Sequence, residues 1–187
     1  MCTGNLRQIG LAFVMYVEEF KYYPLTWGDS TVWGTKLLPY MTKTDAVFFC
    51  PADKPWKTPT PEWRLGFSYG HNSYGHFPAN LGLGTLMDPS APRNSYVSES
   101  QVICPSDMIA SGDNDQNFPG SDLMPQPGPG GPNPERTIPS LRHNYGANIM
   151  FCDGHVEYGR RSQWTNKTDL VRRRWNRDHE PHRELWK

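Results

Sequence analysis

The chain has 187 residues, enough for one domain with a long insertion. Its 19 basic side chains balance its 19 acidic ones, which excludes a global field that would steer it to nucleic acid or an anionic membrane. Aromatics (7 Trp, 9 Tyr, 8 Phe) occur with 17 Gly and 18 Pro, a mixture that argues against a helix-rich bundle and for short strands, many turns and a loop-heavy surface.

Leu6, Ile9, Phe13, Tyr16, Val17 and Phe20 recur at spacings of three and four. They predict an amphipathic helix over residues 5–20, inside a helical segment 1–22. Arg7, Gln8, Glu18 and Glu19 lie off the apolar stripe, and a sheet built from later residues is the expected cover. Pro24 ends the pattern. Trp27 and Trp33 precede KLLPY, a short apolar segment stopped by Pro39. Ala46–Cys50 (AVFFC) reads as a buried strand or strand edge closed by Pro51. Asp53–Glu62, with three prolines, is a loop, and Gly66–Tyr74 alternates as a strand with a turn. Met108–Ser111 predicts a short strand that leaves through the acidic turn Gly112–Asp115. Residues 116–140, with Pro at 119, 125, 127, 129, 132, 134 and 139, form neither ladder nor helix and read as an extended surface linker.

Residues 145–160 carry the clearest local signal, an Asp153-Gly154 hairpin. A two-residue turn there sets Cys152 against His155, Phe151 against Val156, Met150 against Glu157 and Ile149 against Tyr158. Alternation then puts Ala147, Ile149, Phe151, Val156 and Tyr158 on one apolar face, the expected partner of the helix stripe. Asn148, Met150, Cys152, His155 and Glu157 form the polar face. In the tail, 169–187, Asp169–Trp175 predicts a short helix with Arg172, Arg173 and Arg174 exposed, and the remainder is polar and irregular.

The four cysteines, Cys2, Cys50, Cys104 and Cys152, include no close pair such as C-x-x-C, so spacing gives no zinc motif. Two disulfides or four buried thiols remain, and the even count in a loop-rich chain leans toward disulfides outside the cytoplasm. A Cys2–Cys50 bridge would tie the helix start to the first strand region and contribute about 4 kcal/mol on the chain-entropy account.

Three stretches, CTGNLRQIGLAFVMY, FFCPAD and RHNYGANIMFCDGHVEY, together resemble bacterial prepilin-type proteins, pilin- and pseudopilin-like, marked by a His, nine residues and an Asp-Gly. Here these are His143 and Asp153-Gly154, and the ending RRRWNRDHEPH is also similar to that of many members. The resemblance implies an α+β pilin-like fold: an N-terminal helix packed on an antiparallel β-sheet, with long Gly/Pro-rich loops. Members begin with a short basic leader and about 20 apolar residues, the length that spans a bilayer. This chain shows neither, nor any other secretory signal or membrane-spanning run, so the resemblance implies a trimmed form, with a gene read from a late Met as the alternative. The native protein would then be anchored in the inner membrane by the missing segment, with this domain in the periplasm or at the cell surface.

Candidate chemistry is sparse. Asp113, Asn114 and Asp115 offer oxygens to calcium, with Asp122 or a carbonyl completing the shell. The resemblance supports that modestly, since similar secretion-system subunits hold calcium in a loop. His143 and Asp153 are the other candidate metal ligands, and a brace at the hairpin end and a turn residue accepting positive φ are the plainer readings of these two. Pro181 prevents His179 and His182 from sharing a helical face. No Gly-x-Ser-x-Gly elbow or phosphate loop is present. Trp27, Trp33, Trp56 and Trp63 suit core or subunit contact better than sugar stacking. The expected function is a non-catalytic subunit of a type IV pilus or type II secretion-like filament, contacting copies of itself and other pilin-like subunits, with no cofactor and no nucleic acid. The alternatives are an exported glycan- or peptide-binding module and a metal-dependent hydrolase built on His143, Asp153 and the Asp113 turn.

Overall fold

The structure, a computed structural model, describes residues 2–28, 31–41, 45–53, 67–75, 80–84, 96–115, 123 and 138–185. Trp56, Trp63, Asp122 and nearly all of the Pro/Gly-rich segment 116–140 lie outside the described residues.

The fold is α+β and consistent with a pilin-like arrangement, an N-terminal helix across an antiparallel sheet. Helix α1 (Cys2–Phe20) buries Leu6, Ile9, Phe13, Tyr16 and Val17, as the periodicity requires, and adds Cys2, Gly10 and Ala12. Phe20 is exposed, but its ring contacts Tyr16 and Tyr22. Strands β1 (Trp27–Gly28) and β2 (Thr31–Val32) form a small hairpin beside a 3-10 helix, Thr35–Tyr40. The main sheet has antiparallel order β3-β4-β5-β6: β3 Tyr69–His71, β4 Ile109–Asp113, β5 Gly146–Phe151 and β6 Val156–Arg160. Two short helices follow, α2 (Arg161–Thr165) and α3 (Asp169–Arg173).

Three expectations are corrected. AVFFC does not form a strand: Asp45–Phe48 is a 3-10 helix that drives Val47 and Phe48 under α1. A four-residue apolar run has no period by which to tell the two apart. The hairpin register is one residue off the expected pairing, with Met150 opposite Val156, Ile149 opposite Glu157 and Asn148 opposite Tyr158. The cause is the turn. Gly154 N–H donates to Phe151 O (2.9 Å), Phe151 N–H donates to His155 O (3.0 Å), and Gly154 has φ +87°. This is a three-residue loop closed by a left-handed glycine.

The third correction concerns the faces. Ile149, Phe151 and Ala147 do not meet α1; they pack with Ile109, Leu123, Trp164 and Trp175 on the opposite side of the sheet. The helix instead covers Met150, Cys152, Ala110 and Tyr69, with Val156 packed against them. Strand β5 is therefore buried along its whole length, and the C-terminal segment supplies a third layer. That layer is well tied. Trp175 Nε1 donates to Trp164 O (2.8 Å), and Arg177 donates to the carbonyls of Asn80 and Gly82. Arg172 is buried rather than exposed, while Arg174 lies over the Phe151 ring (4.6 Å) and ion-pairs with Asp107.

Helix and hairpin touch through backbone. A Cβ placed on Gly10 would collide with the Gly154 carbonyl, so glycine at 10 sets the approach of α1 to the turn.

Candidate functional site

The three stretches that carry the family resemblance meet at one place. Cys2 opens α1, Cys50 follows the 3-10 helix, and His143 stands just before β5. Cys2 and Cys50 form a disulfide with Cα atoms 5.3 Å apart. His143 Nε2 lies 3.4 Å from Cys50 Sγ and 3.4 Å from Asp113 Oδ2.

Local structure explains why His143 is held there. Asn144 and Tyr145 both have positive φ, making a tight reverse turn in which His143 and Gly146 exchange backbone hydrogen bonds. Tyr158 Oη donates to the His143 carbonyl (2.9 Å). The other segments are clipped on without sulfur: Asn5 Nδ2 donates to Phe49 O (3.0 Å), and Thr3 Oγ1 donates to Asn148 Oδ1 (2.8 Å).

Beneath the disulfide lies a buried charge network. Arg142 pairs with Asp53 (2.5 Å), approaches Asp113 (3.7 Å), and donates to the carbonyls of Ser68 and Asn114 (2.6 Å each). Asp113 is fully buried, and its Oδ2 accepts from Asn148 N (2.7 Å) and Nδ2 (2.8 Å). One cation between two carboxylates, with backbone carbonyls filling the remaining donors, is how a buried charge is tolerated. Above the network opens a groove of about 530 Å³ lined by Cys2, Thr3, Pro51, Ala52, His143, Asn148 and Tyr158.

The expected ligand set does not gather. Asp113 and His143 are neighbours, but Asp115 turns away to accept from Ser140 Oγ (2.7 Å) and to face Arg161. Asp153 sits at the hairpin tip, bonded to His155 (2.6 Å), and the six residues of β5 put about 20 Å between it and His143. Asp113 is taken up by Asn148 and Asp115 by Ser140, so the acidic turn does not bring its two carboxylates to one point. Cys104 and Cys152 do not pair: Cys104 is half-buried, and Cys152 lies under α1, where burial pushes its thiol pKa well up. His179 and His182 have separate partners, Asp107 and Asp178, and Trp33 belongs to the core. The sequence did not mark Arg142, Asp53 or Thr3 as site residues, and it placed Asn148 and Tyr158 only on the faces of the hairpin. All five lie inside the three stretches that carry the resemblance.

No curated protein and no solved structure matches this chain. One family model matches residues 1–138, which takes in α1, the Cys50 segment and β4 and stops before His143 and the hairpin. The chain therefore belongs to the family described as Protein of unknown function (DUF1559).

Proposed function

We propose that this domain is the globular part of a non-catalytic, pilin-like filament subunit. The observation that carries the reading is the outer face of α1. Leu11 (65% exposed) and Met15 (43% exposed) stand four residues apart on the side away from the sheet, although the inner stripe is already docked. Two exposed apolar side chains on an outer face otherwise carrying Arg7, Gln8, Glu18 and Glu19 suit packing against copies of the same helix. The sheet and loops would then form the filament surface, in a heterologous, helical assembly. Family membership and the disulfide fit this reading. No helix among the described residues is long and apolar enough to cross a membrane. On this proposal the domain lies outside the cytoplasm and is held at the inner membrane before assembly. An apolar run behind a basic leader in the coding sequence upstream of Met1 is the expected finding there.

The direct test is shearing of source cells that carry a tagged chain. The tagged protein should appear in the sheared filament fraction, and Leu11→Glu with Met15→Glu should remove it while the domain stays folded. Equal assembly of the charged variant, or a chain confined to the cytosol, would overturn the proposal. The purified chain should sediment as a monomer or weak oligomer, and a stable closed ring counts against it.

A further inference from the structure

The cysteine spacing contains no metal motif, yet the fold assembles one. Among the described residues, the Cys2, Cys50 and His143 ligand atoms all lie within 4.8 Å of one another. We propose that the Cys2–Cys50 pair is a two-state site: a disulfide when oxidised and, once reduced, a thiolate–thiolate–imidazole site for a zinc-like divalent cation.

The distances carry the argument. Tetrahedral zinc holds sulfur at about 2.3 Å and imidazole nitrogen at about 2.0 Å, so adjacent S and N ligands stand about 3.5 Å apart. Cys50 Sγ and His143 Nε2 are already 3.4 Å apart. The two sulfurs must separate to about 3.8 Å in the same geometry, and the Cys2 sulfur, within 4.8 Å of the imidazole nitrogen, must stand about 3.5 Å from it. The cysteine Cα atoms, 5.3 Å apart, permit this through side-chain rotation.

Reduction would not scatter the ligands. The Asn5–Phe49, Thr3–Asn148 and Tyr158–His143 hydrogen bonds hold the three segments together independently of the S–S bond. The groove borders Cys2 and His143, leaving a fourth position to water. Asp113, 3.4 Å from the imidazole and with its Oδ1 lacking a hydrogen-bond partner, adds negative charge alongside. Two thiolates with an imidazole select a borderline-soft cation over calcium or magnesium.

The step balances with a dithiol reductant. The dithiol supplies the two electrons that break the S–S bond and leaves as its own disulfide. The two thiol protons pass to solvent as the metal binds.

Cobalt(II) is the probe. The full chain is reduced with dithiothreitol, freed of it under argon and titrated with cobalt. The expected result is one equivalent bound with tetrahedral d–d bands and a thiolate-to-cobalt charge-transfer band, all absent from the oxidised chain. Cys50→Ser should lose the charge-transfer intensity of one thiolate. His143→Gln should weaken binding at least about tenfold, no less than the loss of an outer-shell partner costs. Zinc should displace the cobalt signal. If reduction lowers the far-UV dichroism, cobalt should restore it. A reduced chain that stays folded yet binds cobalt no better than Cys50→Ser, or an unfolded one that cobalt does not rescue, would overturn the proposal.

Discussion

The two faces of the sheet are covered in different ways. On one face a 19-residue helix lays down a regular stripe, and the cluster beneath it draws on residues from Cys2 to Cys152. On the other, Trp164 arrives on a short C-terminal helix and Trp175 on the turn after the next one, with no periodic pattern, and they fill the space with two indoles. The helix face also holds the polar and redox features: the disulfide, the Arg142 network and His71, whose ring stacks on Trp33 and meets the carbonyls of Ala110 and Pro24. The tryptophan face is mainly apolar filling, capped by the Arg174 guanidinium over Phe151 and Trp164. One side thus combines stability with chemistry, while the other supplies stability alone.

The comparison breaks most sharply if the faces are emptied one at a time. Phe13→Ala and Trp175→Ala should each cost about 3–5 kcal/mol in urea denaturation, and the pair should add within about 0.5 kcal/mol because the sheet separates them. Strong coupling would mean that the two cores are one. Reducing Cys2–Cys50 in the absence of metal should cost about 4 kcal/mol by closure entropy and act on the helix face, so amides of α1 should lose exchange protection before those around Trp164.

Acid should be selective in the same direction. Burial pushes the His71 imidazole down to about 4. With an unfolded value near 6.5, the unfolded chain binds the proton first. Its contribution is therefore complete above about pH 6.5 and is lost as pH falls toward 4, a change of about 3 kcal/mol. His71→Asn should flatten that slope in denaturation curves taken across the interval, whereas Trp175→Phe should leave it unchanged. The smallest effect belongs to neither core: Leu11→Glu should alter stability by no more than about 0.5 kcal/mol.

The helix face was largely legible in the sequence because a repeat of three and four is a local property. The hairpin was legible in kind but not in register: Asp-Gly serves both a two-residue turn and a three-residue one, and the choice shifts every partner by one. The tryptophan face was not legible, because Trp164 sits in a five-residue helix too short to show a stripe and Trp175 lies in the turn just past another. At the site, the Cys2–Cys50 bridge was already expected, while His143 and Asp113 were grouped with Asp115 and Asp153 rather than with the cysteines. Their meeting depends on contacts across 48 and 93 residues of chain, which no window of sequence contains. Arg142 and Asp53 passed unremarked because charged residues near turns usually face water, and only the fold shows them locked to each other.

The bare-backbone contact between Gly10 and Gly154 has a mechanical consequence. Where two main chains rest on each other there is no side chain to bend or change rotamer, so the joint is stiff. One turn on from Gly10, Val14 also stands against Gly154, a side-chain stop beside the backbone contact. A pull on the helix would therefore be borne at the bend of the hairpin and pass into the strands as shear between hydrogen-bonded neighbours, the direction in which a sheet resists most.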